Sequence, residues 1–233
     1  MPRGARIVVA DVAHHVTQRG NGRQSILATD AERAVYLDLL RQGWRKHELS
    51  LLGYGLMSNH VHFIAVPRQA VDLAETFRQV HGRYANYWNA AHSRRGHAWQ
   101  GRFYSCPMDA GHSWTARRYA ELNPVRAGRV DTAVDWPWSS AAAHGGRAEP
   151  NVDLEMATWR QQWSETSWRQ FLEEGESEAD LRGIRRCTQT GRPLGPDQFT
   201  RTLEERIERR LTPRPPGRPR KPTPPGSQQL AAL

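Results

Sequence analysis

Residues 49–66 read LSLLGYGLMSNHVHFIAV, and this stretch decides the fold. Two apolar runs of strand length, 49–56 and 60–66, flank the short polar turn Ser58-Asn59, which predicts a β-hairpin. Pro67 closes it, because proline cannot donate to a ladder. Working outward, 71–91 carries Phe77, Val80, Tyr84 and Trp88 at spacings of three and four, the buried stripe of a helix. On the other side, Asp30 is placed to cap a helix reaching about residue 47, with Leu37, Leu40 and Trp44 on one stripe. Residues 6–19 are rich in β-branched side chains and suggest a strand, strongest at 15–18, before the turn Gly20-Asn21-Gly22. Residues 92–101 read as a loop and 102–108 as a further strand, kept near an edge by Pro107. Ser113 is placed to cap a short helix that ends at Asn123, before Pro124. The order β-α-β-β-α-β-α predicts an α+β domain, an antiparallel sheet with helices on one face.

The chain has 233 residues, enough for one domain with appendages. The catalytic unit is expected over 1–147, a helical extension over 148–211 around Trp159, Trp163, Phe171 and a helix at 203–211, and a disordered, basic, proline-rich tail over 212–233. No run of eighteen apolar residues occurs, so no membrane span is expected. The N-terminus lacks the apolar stretch of a signal peptide, and a cytoplasmic, nucleoid-associated location is expected. Cys106 and Cys187 form no metal-binding or disulfide pattern and read as reduced thiols. The formal net charge of +9 points to a polyanionic partner, nucleic acid first. Residues 209–221 carry six basic side chains and no acid, so much of the nonspecific attraction to DNA is expected from the tail.

Three groups of residues carry chemistry. His60 and His62 are two apart on a strand and therefore share a face, while Val61 points into the core. A lone His-x-His is a weak metal signal, but polar side chains at the start of so apolar a strand need a reason. Tyr119 and Asn123 are four apart and lie one turn from each other on a helix. They read either as a packing tyrosine with a capping asparagine, or as a phenol set beside a cation that Asn123 helps to bind. In the second case two nitrogens and one oxygen leave positions open for phosphate oxygens. Magnesium is then the expected ion, with manganese a ready substitute. Arg19, Arg102 and Arg126 form a candidate DNA-binding group. In the tail, Arg218 and Arg220 lie in PPGRPRK, which resembles the core of an AT-hook. His14, His15, His81 and His97 read as packing or surface residues, and Tyr84, Tyr87 and Tyr104 as core or DNA-stacking ones.

The segments HVTQRGN, MSNHVHFIAVP, GHAWQGRFYS, RRYAELNPVRAGRV and DWPWSS occur in that order. Together they resemble the motifs of the REP-associated tyrosine transposases, members of the IS200-like HUH single-tyrosine superfamily, over about residues 6–145. The resemblance implies a ferredoxin-like catalytic fold, metal binding by His60, His62 and Asn123, and Tyr119 as nucleophile. It implies a single-stranded or hairpin DNA substrate, cut beside the hairpin with the 5′ phosphate joined to the tyrosine, by a monomer or a homodimer. The segment TGRPLGPDQFTRTLEERI resembles the C-terminal extension of some members and is expected to help grip the hairpin. Two other classes remain. A non-catalytic binder of DNA hairpins would have no need for the whole set of Tyr119, both histidines and Asn123. An RNA-binding ferredoxin-like module would want exposed aromatics where His60 and His62 stand.

Overall fold

A computed structural model describes residues 6–212. Four strands, β1 (Ala13–Arg19), β2 (Ser50–Leu56), β3 (His60–Val66) and β4 (Tyr104–Met108), form one antiparallel sheet in the order β2-β3-β1-β4. The hairpin expected from residues 49–66 is β2–β3, and β4 with Pro107 lies at an edge. Strand β1 starts at Ala13 rather than residue 6. Ile7 and Val9 instead join a small apolar cluster with Leu203 and Leu211.

Helices α1 (Asp30–Lys46) and α2 (Asp72–Ala91) cover one face. Their core with Val16, Val61, Phe63 and Tyr54 includes the helical stripes expected from the sequence. The cap of α1 is Thr29, not Asp30: Thr29 is extended, its hydroxyl accepts from the Glu32 amide, and the Glu32 carboxylate accepts from the Thr29 amide.

The opposite face carries α3 (Ala110–Glu121). It begins four residues earlier than a cap at Ser113 requires. Asp109 is extended and accepts from the His112 amide, which leaves Ser113 buried inside the helix. The chain breaks at Leu122 and resumes as α4 (Asn123–Arg126), where Pro124 sits in the first turn and needs no amide partner. There follow α5 (Ala141–His144), α6 (Ala157–Gln162), α7 (Glu165–Glu173), α8 (Glu178–Thr190) and α9 (Asp197–Arg206). The helix expected at 203–211 is α9, shifted toward the N-terminus. It ends because Glu208 takes a positive φ and the chain folds back, so that Glu204 accepts from the Leu211 and Thr212 amides. Residues of α8, Ile184 and Cys187, pack with Ile64, Cys106, Ala116 and Ala120, so this helix shares the second face of the sheet with α3. Both cysteines are free and buried. No helix of the described residues is long and apolar enough to cross a membrane. The proline-rich tail with Arg218 and Arg220 lies outside the described residues.

Two features hold α3 in place. Its backbone rests on β2: a β-carbon at residue 55 would stand 2.5 Å from the Ala120 carbonyl oxygen, and one at residue 53 would stand 3.2 Å from the Arg117 side chain. From behind, the fully buried Glu121 carboxylate accepts from Ser140 Oγ at 2.5 Å, Trp168 Nε1 at 2.8 Å and His144 Nδ1 at 2.6 Å. These partners tie α3 to the DWPWSS segment, α5 and α7, inside a cluster with Trp159. An interior carboxylate is tolerable only with such a set of donors.

Gly55→Ala is expected to destabilise the protein by about 1–3 kcal/mol, because the methyl group meets backbone that cannot yield. Gly82, an exposed α2 position with open space around it, serves as the contrast. Gly82→Ala is expected to add about 0.5–1 kcal/mol. Urea unfolding of the two variants checks both signs.

Candidate functional site

The register of the sheet builds the site. On β3, His60 and His62 face away from Val61 and Phe63, toward α3. On β1, Thr17 pairs with His62 and Arg19 with His60, so His15, Thr17 and Arg19 lie on the same face. Helix α3 brings Tyr119 edge-on to both His62 and His15, with ring centroids 5.4 and 5.8 Å apart. Asn123, just past the break, places its amide nitrogen 3.0 Å from His60 Nε2. These residues line one cleft of about 790 Å³, together with Arg19, Tyr104, Arg126 and Arg185.

Each imidazole is oriented from its Nδ1 side. His60 Nδ1 lies 2.7 Å from Asn59 Oδ1, and the Asn59 amide nitrogen in turn donates to the Arg23 carbonyl at 3.4 Å. Asn59 therefore presents oxygen to His60, Nδ1 carries the proton, and Nε2 offers a lone pair to the cleft. His62 Nδ1 lies 2.8 Å from His15 Nε2, with the two rings only 9° from coplanar. His15 Nδ1 lies 2.8 Å from the Thr188 hydroxyl of α8.

Burial keeps these rings uncharged. It lowers the pKa of His60 to about 4, helped by the positive charges of Arg19 and Arg126. His62 is pushed well below the ordinary value by burial and by its neighbours His60 and His15. His15 is lowered to about 4 by burial alone. Neutral imidazoles are what a metal ion requires, and the same two arginines make the cleft attractive to phosphate.

Arg126 lies over the Tyr119 ring, 4.3 Å from its centroid, and donates to the Tyr119 carbonyl at 2.8 Å. It also pairs with Glu176, whose carboxyl is raised by burial. It therefore braces Tyr119 as well as facing the cleft. Arg102, grouped with Arg19 and Arg126 in the sequence, lines a neighbouring pocket with Arg6, Gln189, Arg192, Arg209 and Arg210. Tyr84 is core, with its hydroxyl donating to the Ile26 carbonyl, whereas Tyr104 lines the site cleft. His14 and His81 are buried packing residues and His97 is exposed, as the sequence suggested.

Two functional positions escaped the sequence. His15 reads as packing, yet it holds His62; alternation along β1, with Thr17 opposite His62, is the signal that finds it once the strand pairing is known. Thr188 carried no signal at all.

Among the described residues, no group of three or more His, Cys, Asp and Glu side chains could hold a metal ion. A cation bound here would have to draw its third protein ligand from the Asn123 amide, turned so that its oxygen faces the ion. The donor set fits. Neighbouring ligands of an octahedral ion at about 2.1 Å stand about 3.0 Å apart, and the His60 nitrogen and Asn123 amide are 3.0 Å apart.

The family model of the IS200-like transposases matches residues 8–123, which include both histidines, Tyr119 and Asn123. The chain belongs to that family. Its fold is that of a REP-associated tyrosine transposase solved bound to a REP hairpin, at 20% identity and a TM-score of 0.54, over 66% of this chain and 96% of that one. A putative transposase from Deinococcus radiodurans aligns at 16% identity and a TM-score of 0.36, over 55% of this chain and 98% of that one. No curated protein matches the chain.

The buried histidines give stability a pH dependence. His14, His15 and His60 are lowered from 6.5 to about 4 and His81 to about 3. Between those values the unfolded chain binds protons that the native one does not, so their contribution is complete above pH 6.5 and is lost as pH falls toward 4. Denaturant unfolding in EDTA is expected to show stability declining from about pH 6.5, before carboxylates titrate. An onset only below pH 5 would contradict the buried, neutral state of these rings.

Proposed function

We propose that the chain is a metal-dependent endonuclease and strand transferase acting on single-stranded DNA at palindromic, REP-type hairpins, through a covalent 5′-phosphotyrosine at Tyr119. The observation that carries this reading is the convergence of Tyr119, His60, His62 and Asn123 on one cleft. Membership of a transposase family supports cutting and rejoining of DNA. The hairpin bound by the structural neighbour supports a folded single strand as substrate.

His60, His62 and Asn123 would hold the ion, with magnesium expected and manganese able to replace it. A divalent cation bound there supplies positive charge that polarises the scissile phosphate and stabilises a phenolate. Tyr119 makes one bond and breaks one: its oxygen bonds to phosphorus, the P–O3′ bond breaks, and the DNA leaves with a 3′ hydroxyl. The phenolic proton passes to water and the departing oxygen takes up another. The phosphotyrosine conserves the energy of the phosphodiester, so a 3′ hydroxyl can reverse the step without ATP. Arg19 and Arg126 neutralise phosphate in the cleft, Arg102 holds DNA in the neighbouring pocket, and Arg218 and Arg220 add to DNA affinity, each with a salt-dependent contribution.

The test is a hairpin oligonucleotide with a single-stranded flank, labelled at its 3′ end, incubated with Mg²⁺ or Mn²⁺. The label is expected to travel with the protein in denaturing gels. The adduct is expected to vanish in Tyr119→Phe and in EDTA, while hairpin affinity in Tyr119→Phe stays within a few-fold. An adduct that persists in Tyr119→Phe would place the nucleophile elsewhere. Tight binding with no adduct under either metal would favour a non-catalytic hairpin binder.

A further inference from the structure

We propose that Thr188 of α8 sets the tautomer of His62 through His15, which makes a helix outside residues 8–123 a positioning part of the cation site; the proposal rests on the reading of that site given above. The four groups form one line. The Thr188 hydroxyl donates to the Ile184 carbonyl at 2.7 Å, the helical back-bond common for threonine. Its oxygen lies 2.8 Å from His15 Nδ1, and His15 Nε2 lies 2.8 Å from His62 Nδ1. His15 and His62 are 1% and 6% exposed and Thr188 is 9% exposed, so water is poorly placed to replace any of these bonds. The buried Cys106 thiol also lies against Thr188, but a thiol is only a weak donor and acceptor.

A neutral imidazole line can run in two directions. In the first, Thr188 donates to Ile184, His15 Nδ1–H donates to Thr188, and His62 Nδ1–H donates to His15 Nε2. That makes three bonds and leaves His62 Nε2 as a bare lone pair facing the cleft. In the second, Thr188 donates to His15 Nδ1 and His15 Nε2–H donates to His62 Nδ1. That makes two bonds, forfeits the one to Ile184, and puts a proton on His62 Nε2, where a cation needs a lone pair. No proton is gained or lost between the two; each moves across its own ring. The back-bond to Ile184 therefore selects the ligating tautomer. Without the hydroxyl, the first direction strands a buried His15 N–H against a methyl group, whereas the second strands only a lone pair. Unpaired buried N–H groups are the rarer of the two, so the second direction takes over. His60 needs no such relay, because Asn59 fixes it directly.

The experiment uses the full-length chain and the variants Thr188→Val, Thr188→Ala and Thr188→Ser, with circular dichroism to verify folding. Long-range ¹H–¹⁵N spectra of the metal-free proteins read the protonated nitrogen of His62. The wild type and Thr188→Ser are expected to carry it on Nδ1, and Thr188→Val and Thr188→Ala to shift it to Nε2. Mn²⁺ titration followed by electron paramagnetic resonance is expected to give a Kd some 10–100-fold weaker in Thr188→Val, with recovery in Thr188→Ser. If folded Thr188→Val and Thr188→Ala keep the wild-type tautomer, the relay is wrong. Should the wild type bind no Mn²⁺, or bind it as tightly after His60→Ala and His62→Ala, the cation site itself is wrong. The tautomer spectra decide the relay in that case too.

Discussion

The Ala120 carbonyl oxygen rests only 2.5 Å from where a β-carbon of residue 55 would stand, and the site depends on that close approach. It lets the backbone of α3 settle directly on β2, one strand away from the histidines of β3. Gly55 pairs with His62 across the hairpin, so a place where the helix backbone presses on the sheet is also where the imidazole is presented. Tyr119, one residue before Ala120, is thereby brought against the His62 ring. A bulkier residue at 55 would lift the phenol and the Asn123 amide together, because both hang from the same helix and its short continuation.

What lies behind α3 serves the same end. Glu121 gathers three donors from α5, α7 and the segment before α5, so the helix that carries the phenol is clamped between a glycine-lined strand and a buried carboxylate. Arg126 adds a brace across the Tyr119 ring, held in turn by Glu176. The segment after residue 147 therefore contributes on two sides, through Trp168 and Glu176 around α3 and through Thr188 behind His15. Electrostatics follow from this enclosure. Desolvation keeps the imidazoles neutral, while Arg19 and Arg126 leave the cleft positive, the combination that suits an anionic substrate.

The hairpin, both long helices and the site pair were legible in the sequence because each rests on a local signal. Alternation placed His60 and His62 on one face, helical spacing marked Phe77 to Trp88, and Pro124 announced a break near Asn123. The elements misjudged were those decided by competition between neighbours. Thr29 outbids Asp30 for the cap of α1 because Glu32 completes the reciprocal box. Asp109 outbids Ser113, which the fold buries instead. The outer support of the site was illegible for a different reason. His15 and Thr188 are 173 positions apart, and only the assembled sheet with α8 against it brings them together. Likewise, Gly53 and Gly55 look like weak points of a strand until the helix they admit is in view.

His60, His62, Tyr119 and Asn123 line a single cleft, and the proposed chemistry requires one cation to meet all four there. Anomalous diffraction from crystals grown with Mn²⁺ tests it most directly. A strong peak roughly 2.0–2.2 Å from His60 Nε2, His62 Nε2 and the Asn123 amide oxygen, with the Tyr119 hydroxyl opening onto the same ion, is the expected result. A metal bound elsewhere with these three side chains unengaged, or a Tyr119 hydroxyl turned into the apolar packing around Ile64 and Ala116, would contradict it.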